Sequence, residues 1–189
     1  MLPMLETERL MLRALRREDA PTIAQLAGRR EIADTTLSIP HPYSVEQAAE
    51  WIATRTAQEN PPRQSVFAIT IKTDGQVIGT IGLREVDPEH CQAEMGFWIG
   101  VDWWGNGLAT EAAKGILRHG FEGLRLNRIY AHHMVRNPAS GRVLEKIGMR
   151  REGLLRQRLR KGSAFEDVVL LAILRDDWTD RCHATTPTG

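Results

Sequence analysis

The stretch Glu94-Met95-Gly96-Phe97-Trp98-Ile99-Gly100-Val101-Asp102-Trp103-Trp104-Gly105-Asn106-Gly107-Leu108-Ala109-Thr110-Glu111-Ala112 passes from an extended run into a long helix through two glycines. The extended part covers residues 93–101. The helix is predicted over 108–124, where Leu108, Ala112, Ala113, Ile116, Leu117, Gly120 and Phe121 recur at core spacing. Gly105 and Gly107 permit positive φ and keep side chains off the surface of the turn. Free backbone amides at a helix start, with the positive end of the helix dipole, make an anion site, and Thr110 adds a hydroxyl donor. The turn has neither the dinucleotide fingerprint nor the Gly-Lys-Ser/Thr of a P-loop. Taken alone, it fits a purely structural turn as well as a phosphate cradle.

Working outward, residues 7–15 alternate as a first strand. A short helix is predicted from Asp19 as cap, with Pro21 in its first turn, Ile23, Leu26 and Ala27 on one face, and Gly28 as its stop. Residues 29–43 are ambiguous. Ser44 and Gln47 form a capping box before a helix with Val45, Ala48, Ala49 and Ile52 on one stripe, ended by Asn60-Pro61-Pro62. Strands at 64–72 and 76–84 are joined through Asp74-Gly75. After the central helix come a strand at 128–135 and a helix with Asn137 as cap, Pro138 first and Gly148 past its end. Strands at 149–156 and 165–174 flank a basic turn. The order predicts an α+β fold: one mixed sheet covered by helices, in a single domain over 1–178. Residues 179–189, rich in Thr, Pro and Gly toward their end, are predicted to be a disordered tail.

A net charge of +1 gives no global field for nucleic acid or an acidic membrane surface. No apolar run approaches the ~20 residues of a membrane span, and no signal pattern opens the chain. Cys91 and Cys182 are too few and too far apart for a disulfide framework or a metal site, so a reducing cytoplasm is the simplest reading and no metal is expected.

The quoted stretch resembles the acetyl-CoA signature of the GNAT acetyltransferases, most closely the branch named for ribosomal-protein N-terminal acetyltransferases, the RimJ/RimL type. The superfamily pattern is Arg/Gln-x-x-Gly-x-Gly/Ala; Gly107 and Ala109 match, and Trp104 replaces the cation or amide, as is usual in this branch. The resemblance continues through Asn137-Pro138-Ala139-Ser140-Gly141-Arg142-Val143-Leu144-Glu145-Lys146-Ile147-Gly148-Met149, the opening Thr7-Glu8-Arg9-Leu10-Met11-Leu12-Arg13 and the run from Asp167 to Trp178. It implies a mostly antiparallel sheet of six or seven strands with about four helices, and CoA between two splayed parallel central strands. It also implies acetyl-CoA as cosubstrate, a primary amine as acceptor, and cofactor contacts from Trp98, Ile99, Gly100, Val101, Trp104, Gly105, Asn106, Gly107, Leu108, Ala109, Thr110, Asn137 and Ser140. Amides at 99–101 are the expected donors to the thioester oxygen.

Period-two alternation puts Glu94 on the face of Gly96, Trp98 and Gly100, where small residues leave room for a ligand. A partly desolvated carboxylate there has a raised pKa suited to a general base; a solvent-facing carboxylate on an edge strand is the alternative. By resemblance, Glu94 deprotonates the acceptor amine directly or through water, Asn137 bonds the pantetheine arm and Ser140 donates to the leaving thiolate. Asn137 and Ser140 also suit ordinary helix-start chemistry. His132 and His133 face opposite sides of one strand, one of them against a helix; they form no metal pair at ligand spacing, and catalysis by either is disfavoured. Trp51 lines the acceptor cleft or is simply core. Arg150, Arg151, Arg156, Arg158, Arg160 and Lys161 form a solvated hairpin face or an acidic-partner surface. A non-catalytic CoA-binding module and a nucleic-acid binder compete with the enzyme; the joint presence of Glu94 and Ser140 favours the enzyme, and the glycine turn disfavours the nucleic-acid binder. The acceptor stays open among peptide N-termini, polyamines, amino acids and aminoglycosides. A sheet with open edges leaves homodimerisation open as well.

Overall fold

Alternation along the third strand sends Phe67 and Ile69 into one hydrophobic cluster and Ala68 into another, so the sheet carries a core on each face. The computed structural model describes residues 2–36, 39–56 and 63–184, with side chains described as far as 179. In chain order the elements are β1 (Leu5–Glu6), β2 (Leu10–Ala14), α1 (Ala20–Ala27), α2 (Arg30–Thr35), α3 (Val45–Thr56), β3 (Ser65–Ile71), β4 (Val77–Asp87), β5 (Gln92–Ile99), α4 (Leu108–Arg118), β6 (Arg128–Met134), α5 (Pro138–Lys146), β7 (Arg150–Lys161), β8 (Ala164–Leu174) and α6 (Arg175–Ala184). The strands form one sheet in the order β1-β2-β3-β4-β5-β6-β8-β7. Every neighbouring pair is antiparallel except β5 and β6.

One face is covered by α4, with Ala112, Ala113, Ile116 and Leu117, and by Leu144 of α5, against Leu12, Phe67, Ile81 and Ile129. The opposite face carries α1 to α3, with Ile23, Ala27, Ile32, Ala48 and Ile52 against Ala68 and Trp98. The capping box forms as expected: Ser44 N–H donates to Gln47 Oε1 at 2.9 Å, and Gln47 N–H donates to Ser44 Oγ at 3.2 Å. The Asn60-Pro61-Pro62 stop lies outside the described residues.

Several local expectations need correction. The strand expected over 7–15 starts only at Leu10, as β2, because Thr7 turns the chain with its hydroxyl and amide on Leu10. Asp19 stands at the start of α1 without capping it; its carboxylate is bonded by Arg13 and by the Arg16 N–H. Leu124 N–H donates to His119 C=O five residues back, so the predicted long helix ends in a wider turn. The last hairpin has no broad basic turn, since β7 itself runs to Lys161. Its cations are partly structural: Arg150 pairs with Asp177 at 2.7 Å, and Lys161 Nζ donates to the carbonyls of Ala33 and Thr36 at the end of α2. Helix α6 extends to Ala184, where a disordered tail was expected from 179; residues 185–189 are not described.

Candidate active site

The parallel pair is short. β5 and β6 pair at Gln92↔Arg128, Ala93↔Ile129 and Glu94↔Tyr130, and beyond Glu94 they separate. A cleft of about 500 Å³ opens there, walled by both sheet faces. Ser140 and Thr110 reach it from the α4/α5 side and Trp51 from the α3 side. The expected gap between splayed central strands is therefore present.

At the end of β5 the chain turns into α4 with φ of 79° at Gly105 and 76° at Gly107. No side chain caps α4, so the amides of Leu108, Ala109 and Thr110 have no partner within the helix. A Cβ at Gly105 would meet nothing within 4 Å, which leaves the turn open to a bulky anion. The pyrophosphate of CoA fits this donor set. Of the residues expected to contact the cofactor, Trp98, Ile99, Trp104, Gly105, Gly107, Leu108, Ala109 and Thr110 line the cleft. Trp104 also braces the turn, its indole N–H donating to Ile99 C=O at 2.7 Å.

Three expected contacts lie off the wall. Asn106 turns its amide to Trp104 C=O at 3.2 Å, and Gly100 and Val101 lie behind the cleft surface. The Gly100 N–H bonds Ile78 C=O at 2.8 Å, so it is unavailable to a thioester oxygen. Alternation along this antiparallel ladder turns the amides of Phe97 and Ile99 the other way, toward the gap. Sequence reasoning also missed Arg9. Its Nη1 donates to Asn106 C=O at 3.1 Å and its Nε to Glu111 at 2.7 Å, so a guanidinium stands beside the turn although Trp104 supplies no charge.

Glu94 lies on the predicted face but is 7% exposed, and it stands behind the cleft wall rather than in it. Arg84 Nη2 donates to its Oε1 at 2.8 Å and Arg84 Nε to its Oε2 at 3.2 Å; His132 Nδ1 stands 3.1 Å from Oε1. Burial pushes the carboxyl up, but the hydrogen bonds from His132 and Arg84 and the Arg84 charge outweigh it, leaving the pKa below its ordinary value. The expected raised pKa is corrected on that ground. Nearby, Tyr130 O–H donates to Glu85 at 3.2 Å, and burial together with that carboxylate pushes its pKa up to about 12.

Asn137 caps α5, its Oδ1 accepting the Ser140 N–H at 3.2 Å, while its Nδ2 stands 3.5 Å from Thr35 C=O. Asn137 and Ser140 both line the cleft, and the Ser140 hydroxyl has no partner among the described residues. The two histidines divide as predicted. His133 packs under α5, where a Cβ at Gly141 would fall 2.7 Å from its Nε2, and His132 lies on the face of Glu94.

A sheet parted between parallel neighbours, with an uncapped helix start beside the gap and polar side chains at its mouth, is the frame of a CoA-dependent acyltransferase. Residues 9–150 match the family model described as acetyltransferase (GNAT) domain, and the chain belongs to that family. Over 175 residues it is 33% identical to the uncharacterized N-acetyltransferase YoaA of Bacillus subtilis (strain 168), covering 93% of this chain and 98% of that one. The solved structure of Mycobacterium smegmatis RimJ in complex with CoA-disulfide matches with a TM-score of 0.86 and 25% identity over 96% of this chain and 94% of that chain. Spermidine N-acetyltransferase from Vibrio cholerae, in complex with CoA and spermine, matches with a TM-score of 0.78 and 27% identity, over 90% and 98%. The protein is thus an N-acetyltransferase-type enzyme with RimJ/RimL-like relatives.

Proposed function

We propose that the protein transfers the acetyl group of acetyl-CoA to a primary amine, by direct attack on the thioester, and that the acceptor is a protein or peptide N-terminal α-amine. The observation that carries this reading is the continuity of the cleft. It runs from the uncapped α4 turn, past Ser140, through the β5–β6 gap, to the face bearing Arg84, His132 and Trp51. The pyrophosphate would rest on the amides of 108–110 with Arg9 nearby, and the cations Arg142 and Lys146 on the cleft side of α5 suit further phosphate charge. Holding both substrates in one channel supplies much of the rate.

Charge favours a monoamine. Among the described residues no Asp or Glu lines the cleft, whereas Arg55, Arg84, Arg142 and Lys146 do. A polyamine would bring further ammonium groups to a wall without carboxylates. The acceptor side is instead apolar and aromatic, with Ile39, Tyr43 and Trp51. Neutralising a lysine amine of pKa near 10.4 at pH 7 costs roughly 4–5 kcal/mol, and an α-amine near 8 only about 1, so an N-terminus asks less of the base. A small-molecule amine is the second reading, favoured by the likeness to a spermine-bound neighbour. Thiol release from acetyl-CoA across peptides beginning with Ala, Ser or Met, free amino acids, aminoglycosides and spermidine tests both. Peptides are expected to turn over fastest; preference for spermidine would establish the second reading. A cytoplasmic site of action suits an acetyl-CoA-dependent enzyme with Cys91 as a free thiol.

A further inference from the structure

We propose that His132 is the base that takes the proton from the acceptor amine, and that Glu94 is its positioning residue. The proposal rests on the N-acetyltransfer reading. Strand register locates the group. Glu94↔Tyr130 is the last parallel pair, so the next residues on the same face, Gly96 of β5 and His132 of β6, stand on either side of the opening. A Cβ at Gly96 would meet only the Arg84 guanidinium, at 3.7 Å, so no side chain of β5 fills the mouth at that level. His132 lines the cleft; Glu94 does not.

The hydrogen bonds settle the tautomer. An ionised carboxylate only accepts, so the imidazole nitrogen 3.1 Å from Glu94 Oε1, Nδ1, carries hydrogen, and in the neutral ring the lone pair is on Nε2. The Tyr130 ring stands edge-on at 5.8 Å between centroids and limits rotation of the imidazole. The charged and titratable groups facing the ring are Arg84 and Glu85 of β4, Glu94 of β5 and Tyr130 of β6; on β8 its partner is Leu170. Both Glu94 oxygens are bonded by Arg84 and the carboxylate stands behind the cleft wall, so it is not presented to an amine in the cleft.

In the step, the amine nitrogen bonds the acetyl carbon and its N–H proton passes to His132 Nε2. The carbon–sulfur bond breaks, and the thiolate leaves on the Ser140 hydroxyl and is protonated from solvent. The imidazolium, beside the Glu94 carboxylate, returns its proton to solvent.

His132→Gln is expected to lower kcat about 100-fold, with acetyl-CoA affinity by calorimetry unchanged, and to abolish the acidic limb of the kcat/KM profile. Glu94→Gln is expected to lower kcat about tenfold without removing that limb, because the imidazole keeps its place on β6 but loses the carboxylate that orients it. Long-range 1H–15N spectra of the resting protein should show His132 with hydrogen on Nδ1, and that preference should weaken in Glu94→Gln. The reverse pattern, with Glu94→Gln removing the limb while His132→Gln keeps it within threefold, overturns the proposal; so does an Nε2–H tautomer. Melting temperatures of both variants separate misfolding from lost chemistry. Failure of the N-acetyltransfer reading looks different: the wild type releases no thiol with any amine, and this proposal falls with it.

Discussion

The two ends of the cleft are built by different means. The end proposed for the cofactor is made of consecutive backbone: Gly105 and Gly107 at positive φ, then the free amides of α4. The end proposed for the acceptor is made of side chains from three strands, Arg84 on β4, Glu94 on β5 and His132 on β6, joined by hydrogen bonds of 2.8 to 3.2 Å. Backbone donors keep their positions while the helix exists, so the first end tolerates change in most neighbouring side chains. A hydrogen-bonded trio depends on every member, because removing Arg84 or His132 leaves the buried Glu94 carboxylate less compensated. Binding of the donor and chemistry on the acceptor should therefore fail separately.

The largest expected effect is at the backbone end. Gly107→Val puts a β-branched residue at a φ of 76°, where only glycine is at ease, and the first turn of α4 must rearrange. Acetyl-CoA affinity by calorimetry should fall at least 100-fold while the Glu94–His132 tautomer signature persists. Retained affinity would mean the turn is not the phosphate site. Ser140→Ala comes next. Its hydroxyl has no partner among the described residues and its N–H already caps α5 with Asn137, so thermal stability should hold. Turnover should fall about tenfold, the order of one neutral hydrogen bond to a developing charge; wild-type rates would leave Ser140 with capping alone.

This division also decides what could be read from sequence. The turn at 104–110, the Ser44/Gln47 box and the Asn137-Pro138 helix start are local patterns, each fixed by residues within a few positions of one another. They stand where expected. The face of Glu94 was legible from alternation. The sign of its pKa was not, because Arg84 and His132 reach it only through strand register, and one of those registers is the parallel pairing across α4. Arg9 escaped notice for a similar reason, since its partners Asn106 and Glu111 lie about a hundred residues away in sequence. The two-residue β1 is too short to show alternation, the six-residue α2 is too short to show a helical period, and α6 falls largely in the stretch expected as a tail, which is why eight strands and six helices are found among the described residues where six or seven and about four were expected.

Arg9→Gln should sharpen the comparison at the cofactor end. The guanidinium stands beside the turn, but Glu111 already offsets its charge. A loss of acetyl-CoA affinity of a few-fold, shrinking at high salt, is expected, with kcat at saturation unchanged. A kcat effect instead would mean that Arg9 orders the turn for chemistry.

The smallest effect compares carboxylates at the two ends through acid stability. In both Glu94 and Glu111 burial raises the pKa, and hydrogen bonds outweigh it, from His132 and Arg84 for the first and from Thr7 and Arg9 for the second. A carboxyl lowered by folding binds protons more weakly in the native state. It adds stability above its unfolded value, near 4.5, and loses that contribution as pH falls through the native value. Glu94→Gln and Glu111→Gln should therefore each flatten the fall in melting temperature between about pH 5 and 3. Glu94 is the more buried of the two, so its variant should flatten the curve more and respond less to added salt. Equal salt sensitivity at the two positions would show that the acceptor-side trio is as solvated as the turn, and would remove the reason for expecting the two ends to fail separately.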